Sequence, residues 1–230
     1  MTPSLLRAEL PAIRPGGLAL TERVLRHCPF GDSARIADIG CGAGATVEYI
    51  RRTRTLNAVG VDISMARLRE GLGRIPGMPL LQADAGFLPL ANGSMDGIIS
   101  ECSLSVMHDR GRVLGEFHRV LKTDGRLLIT DVVAENPEAI GPADFSKLPF
   151  CLSELATRES LSDSIARHGF RIDITEDHSY LLKTFIGRLI MESDFDCCGF
   201  NNSVVSAGLE ALKRARPRYI LLVATKGDDG

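Results

Sequence analysis

An apolar strand that runs straight into a glycine-rich turn, Ile36-Ala-Asp-Ile-Gly-Cys-Gly-Ala-Gly44, constrains this chain more than any other stretch. Glycine tolerates backbone angles that a Cβ forbids, and it lets a ligand approach the main chain closely. The following residues, Ala45 to Arg52, have helix-forming character. The turn should therefore open a helix whose unpaired N–H groups face a ligand. Val59-Gly-Val-Asp62 then reads as a second apolar strand ending in an acid. It stands about twenty residues past the turn, where a nucleotide-binding βαβ unit places a carboxylate on a ribose. Strand, loop, helix, strand and acid in that order point to a nucleoside-bearing ligand.

The alternation continues downstream. Arg35–Ile39, Leu56–Asp62, Pro79–Asp84, Met95–Glu101 and Gly125–Val133 read as strands, with helical patterns over Thr46–Arg54, Ser64–Arg74 and His108–Lys122 between them. Such alternation predicts parallel strands joined by right-handed crossovers, a doubly wound α/β fold with its sheet buried on both faces. Ligands of such folds lie beyond the carboxyl ends of the strands, where the strand order reverses. The later chain is less regular. Pro137, Gly141, Pro142 and Pro149 suggest an irregular connection. A helix over Thr157–His168 should stop at Gly169. Phe170–His178 and Arg218–Lys226 read as strands, with helices over Leu181–Phe195 and Asn201–Ala215 between them.

The glycine spacing discriminates between cofactors. A dinucleotide loop wants Gly-x-Gly-x-x-Gly, but counted from Gly42 and Gly44 its last position is Val47. Asp38 suits an ammonium group better than a pyrophosphate. The run Asp38-x-Gly40-x-Gly42-x-Gly44 resembles the first motif of the class I S-adenosylmethionine-dependent methyltransferases. Leu88-Pro-Leu90-Ala-Asn-Gly-Ser-Met95-Asp96 resembles a second passage of that family, with Leu90 and Met95 where aromatics are usual. Glu116-Phe-His-Arg119-Val-Leu-Lys122-Thr-Asp-Gly125 resembles a third, with Thr123 and Asp124 in place of Pro and Gly. The resemblance covers about residues 35 to 133 and lies nearest the quinone-biosynthetic C-methyltransferases and the arsenite methyltransferases.

That resemblance implies a Rossmann-like, mostly parallel seven-stranded sheet with an antiparallel C-terminal strand and a helical lid. It implies one methyltransferase domain over 1–230: an N-terminal helical segment to residue 30, a cofactor-binding core over 31–135, and a substrate-side elaboration over 136–230. It implies S-adenosylmethionine as cofactor, held by Asp38, Gly40, Cys41, Gly42 and Gly44 at its methionine end. Asp62 would take the ribose, Ile63 the adenine face, and Asp84 and Ala85 the adenine edge. Asp62 reads equally as a cap for the helix starting near Ser64. Glu101 and Cys102 fall where the transferred methyl should point, with a solvated acid and a packed thiol as the plainer reading. Many relatives carry histidines after this strand, and here only His108 remains, displaced toward the next helix. Glu101 and His108 are the candidate bases, needed only if the acceptor is an alcohol, phenol or acidic carbon.

Composition narrows the partners. Among 230 residues, 44% hydrophobic and 24% charged with a net charge of −2, there is no long basic run to attract nucleic acid or an anionic membrane. Early charges and prolines argue against a signal peptide, so a cytoplasmic protein acting on a small molecule is expected, with no resident metal. The six cysteines lack the Cys-x-x-Cys spacing of a zinc ribbon. Cys102, Cys151, Cys197 and Cys198 leave a thiophilic acceptor such as arsenite as an alternative, since thiolates are soft donors. Yet the helix after the glycine loop lacks the cysteine that arsenite methyltransferases carry there, and a packing role is the expectation. Two further functions stay open for such a loop: a non-catalytic S-adenosylmethionine-binding domain and a nicotinamide-dependent oxidoreductase. The glycine spacing disfavours the oxidoreductase.

Overall fold

The computed structural model describes residues 12–139, 155–191 and 213–227. After α1 (Gly17–Arg26), the chain builds β1 (Arg35–Ile39), α2 (Ala45–Thr53), β2 (Asn57–Asp62), α3 (Met65–Arg74), β3 (Leu80–Gln82) and β4 (Met95–Glu101). A 3₁₀ turn at Leu104–Val106, α4 (Arg110–Val120) and β5 (Leu121–Ala134) follow, then α5 (Arg158–Arg167), β6 (Phe170–Asp177), α6 (Ser179–Met191) and β7 (Pro217–Lys226). The seven strands form one sheet in the order β3-β2-β1-β4-β5-β7-β6. Neighbours from β3 to β5 are parallel, and β7 runs antiparallel to both β5 and β6. The fold is thus the doubly wound α/β sheet that the alternation predicts, closed by the antiparallel C-terminal strand that the resemblance implies. Strand order reverses between β1 and β4, which opens the cleft at that point.

Residues alternate between two cores along each strand. Ile36, Ile99, Leu128, Leu221 and Val223 face one side with Val24 of α1 and Ile50 of α2. Ala37, Ile98, Leu127, Ile129 and Leu222 face the other with Phe117 of α4 and Ile165 of α5. Both faces being covered explains why these strands are continuously apolar. Among the described residues no helix is long and apolar enough to cross a membrane.

Several boundaries differ from those expected of the sequence, most at α4 and β5. Helix α4 starts after Asp109, whose left-handed backbone lets its carboxylate accept from Arg112 N at 3.1 Å. It stops at Val120 because Leu121 turns extended to pair with Met95 and is fully buried there. Strand β5 therefore begins earlier than Gly125, and its register with β4 shifts between Met95 and Gly97. The last two strands are neighbours in space but not a tight hairpin, since α6 intervenes and β7 slots between β5 and β6. Helix α5 does stop at Gly169, at φ +80°. Part of the expected helix over 201–215 lies outside the described residues.

Helix α1 seats Leu20, Val24 and Leu25 in the core and is clamped by charge at both sides. Glu22 accepts from Tyr49 Oη at 2.5 Å and from Arg54 Nη2 at 2.6 Å. Arg23 reaches Glu176 with two bonds of 2.6 and 2.8 Å, and His27 Nε2 lies 3.1 Å from the same carboxylate. The Tyr49 hydrogen bond, then Arg54, hold the Glu22 carboxyl down to about 2. A depressed folded value means the clamp acts fully above the ordinary value of 4.5 and fades as pH falls toward about 2. Glu22→Gln should loosen α1 by about 1–2 kcal/mol. Amide exchange in α1 should rise about 5- to 30-fold while the strands stay protected; unchanged exchange would show that the clamp contributes nothing.

Candidate cofactor site at the switch point

The glycine loop takes its shape from backbone geometry. Gly40, Gly42 and Gly44 all have positive φ, at +79°, +55° and +84°. A Cβ on Gly40 would lie 2.4 Å from Ser103 Cβ, so the loop packs directly on the segment after β4. A Cβ on Gly42 would meet nothing within 4 Å, which leaves that side of the main chain open to a ligand. Cys41 packs behind the loop, its Sγ 2.7 Å from where a Cβ on Gly60 would stand, and burial pushes its thiol up. Helix α2 then starts at Gly44 with no side-chain cap, so its first N–H groups remain available.

Asp62, at the end of β2, accepts from Gly42 N at 2.7 Å and from Ser64 N at 2.8 Å. Ser64 itself caps α3 by accepting from Arg67 N. The carboxylate thus fixes the glycine loop, and with about four acceptor sites it keeps capacity for two more donors. Farther along the sheet edge, Asp84 follows β3, accepts from Gly86 N at 2.8 Å and is exposed. Ala85 next to it is half-buried. Ile63 and Phe87 expose 67% and 60% of their surface, an apolar rim beside these acids. Arg112 lies 3.4 Å above the Phe87 ring.

On the other side of the loop is a buried polar network. Glu101, at the end of β4, accepts from Thr21 Oγ1 at 2.9 Å and Thr46 Oγ1 at 2.8 Å, and pairs with Arg14 Nη2 at 2.7 Å. The same Arg14 nitrogen lies 2.6 Å from Thr21 Oγ1 and 2.8 Å from Thr46 Oγ1. Arg14 Nε is buried and has no partner among the described residues. Asp38 is 3% exposed, with Glu101 and Asp62 as charged neighbours. Burial first, then the Glu101 charge, pushes the Asp38 carboxyl up to about 8.

The structure therefore gathers Asp38, Gly40, Cys41, Gly42, Gly44, Asp62 and Glu101 around one loop, with Ile63, Asp84 and Ala85 beyond it. Glu101 is neither solvated nor free, because its oxygens are held by Arg14 and two threonines. Cys102 is half-buried with a left-handed backbone, φ +56°, and burial pushes its thiol up. His108 is exposed, one residue ahead of the α4 cap. Cys151, Cys197 and Cys198 lie outside the described residues, within which no group of three or more His, Cys, Asp or Glu side chains could hold a metal. Arg14, Thr21 and Thr46 were not legible as site residues, since Arg14 sits in a proline-rich lead-in and the threonines lie on ordinary helix faces.

Residues 37–129 match a family model described as a methyltransferase domain. Over that stretch the chain is similar to methyltransferases. An O-methyltransferase of Pyrenophora dematioidea is 31% identical over 163 residues, covering 66% of this chain and 60% of that one. A ubiquinone/menaquinone biosynthesis C-methyltransferase of Campylobacter jejuni is 31% identical over 103 residues, covering 42% and 44%. Among solved structures, the [4+2]-cyclase SpnF superposes with a TM-score of 0.74 at 24% identity, over 91% of this chain and 80% of that one. The chain spans three fifths or less of the length of these two curated relatives.

Gly40→Ala tests the loop. The added methyl meets Ser103 at 2.4 Å on a backbone of φ +79°, so strain and overpacking should together remove about 2–4 kcal/mol of stability. Gly42→Ala, with open space around its Cβ, should lose less. Equal losses in chemical denaturation would show that contact with Ser103 does not shape the loop.

Proposed function

We propose that the protein transfers the methyl group of S-adenosylmethionine to a small organic acceptor. The observation that carries this reading is a charge mismatch beside the glycine loop. Among the described residues, Arg14 Nε is a buried donor without an acceptor, and Asp38 is a buried carboxyl with the negative charges of Glu101 and Asp62 near it. A zwitterionic amino-acid end answers both, its carboxylate for Arg14 and its ammonium for Asp38. The uncapped start of α2 favours the same carboxylate. Asp62 has capacity left for two ribose hydroxyls, and Ile63, Asp84 and Ala85 suit an adenine. The residues therefore fit the cofactor.

The sulfonium of that cofactor makes its methyl electrophilic, so the protein's task is to orient a nucleophile and exclude water. Glu101 serves here as a positioning residue. With Thr21 and Thr46 it fixes Arg14, and its three partners leave it poorly placed to take a proton from an acceptor. His108, exposed ahead of α4, is the candidate base for an acceptor that must lose a proton. The absence of a basic run in the sequence favours small molecules over nucleic acid. A cytoplasmic setting fits the composition.

Calorimetry with S-adenosylhomocysteine should give micromolar affinity, about −8 kcal/mol. Asp62→Ala should weaken it by about 2–3 kcal/mol, the scale of hydrogen bonds to a charged group. Labelled methyl should pass from S-adenosylmethionine to a member of a panel of phenols, alcohols and acidic carbon compounds. No binding by folded protein would overturn the cofactor assignment; binding without transfer to any acceptor would favour a non-catalytic domain.

A further inference from the structure

The cofactor pocket holds more buried negative charge than positive. Asp38 on β1 and Glu101 on β4 are 3% and 8% exposed. The buried cation that faces them is Arg14, from the segment before α1, and it is committed to Glu101 at 2.7 Å. Asp62 on β2 adds a further negative field at Asp38, and Cys41 in the loop faces it as a neutral thiol. Thr21 and Thr46 donate to Glu101, not to Asp38. A carboxylate buried beside two other acids, with the one facing cation already paired, is so unfavourable that such a group takes up a proton instead.

We propose that Asp38 is a proton-exchange site: it carries a proton while no second cation is in the pocket, and releases that proton to solvent when the α-ammonium of the cofactor's amino-acid end seats against it. The inference rests on the cofactor reading above. The exchange balances one for one, since the Asp38 O–H bond breaks, H⁺ leaves, and one cation enters. Its consequence for specificity is that the ligand must keep a protonated amine; a nucleoside thioether with the amine acetylated or removed is rejected although its ribose and adenine are intact.

The direction of the pH effect follows from the raised Asp38 carboxyl. The ligand binds the ionised form, so protons compete with it below about pH 8. Affinity should rise about tenfold per pH unit from about pH 6 and level off near the Asp38 value. In the ligand-free protein the sign is opposite. The folded state holds the proton up to about 8 whereas the unfolded chain releases it near 3.8, so this group removes stability as pH rises between those values.

Two measurements test the exchange. Titration calorimetry with S-adenosylhomocysteine, in phosphate and Bis-Tris at about pH 6 and 7 and in phosphate and Tris at about pH 8, reads the protons released on binding. Release approaching one proton at about pH 6 and declining toward about pH 8 is expected for the wild type. Asp38→Asn should bind at least about tenfold more weakly and release no more than the ligand's own amine contributes. Thermal melts of both proteins without ligand, from about pH 4 to about pH 8, read the same proton independently of any nucleoside. The gap in Tm should move in the variant's favour as pH rises. Binding with flat affinity and no buffer dependence would overturn the exchange while leaving the cofactor assignment standing. Absence of binding in the wild type would overturn both. If Asp38→Asn does not fold, the wild-type buffer comparison decides alone.

Discussion

The ion pair between Arg14 and Glu101 is the contact around which the rest of the site is arranged. Its two residues come from the lead-in to α1 and the end of β4, and its threonine partners come from α1 and α2. Three other pieces of chain thus converge on the carboxylate at the end of β4. A buried pair of this kind gives little net stability, because desolvation offsets the Coulomb attraction. Removing one partner, however, strands a buried charge at a cost of about 3–5 kcal/mol. The pair is better understood as a device for specifying position. It ties the lead-in to α1, through Arg14, to the end of β4 beside the glycine loop.

Much of this was legible in the sequence, and the reason is periodicity. Strands buried on both faces must be apolar throughout, so Arg35–Ile39 and Met95–Glu101 could be bounded to the residue. The glycine loop was legible because its three positive φ values leave few alternatives to glycine. What could not be read was contact between distant segments. Arg14 and Glu101 are far apart in sequence, and nothing local to Arg14 distinguishes it from a surface cation. Likewise the turn of Leu121 into β5 depends on its pairing with Met95, a partner that helix propensity does not register.

Chain likeness and chemistry also part company here. A cyclase shares this architecture at a TM-score of 0.74, so the sheet alone does not determine a reaction. What narrows the reading is the row of acids at the strand ends. Asp84, Asp62, Asp38 and Glu101 lie at or near the carboxyl ends of β3, β2, β1 and β4, four neighbouring strands in spatial order. An elongated ligand laid along that edge meets a carboxylate at each strand, from an exposed one beside apolar side chains to buried ones beside Arg14. Asp84 is exposed, Asp62 half-buried, and Asp38 and Glu101 buried, which gives the cleft an open end and a closed one.

The position of β7 has a consequence for how such a chain emerges during synthesis. Strands β1 to β5 can pair with one another as they appear, but β6 has β7 as its strand neighbour, and β7 lies far later in the chain. Until residues 217–226 are made, β5 offers an unpaired edge and β6 has no strand beside it. An open edge of that kind is prone to mispairing with other chains. The cofactor half of the sheet is therefore assembled while its flank is still exposed, and the last strand, Tyr219 to Lys226 buried throughout, closes it like a wedge driven between two boards.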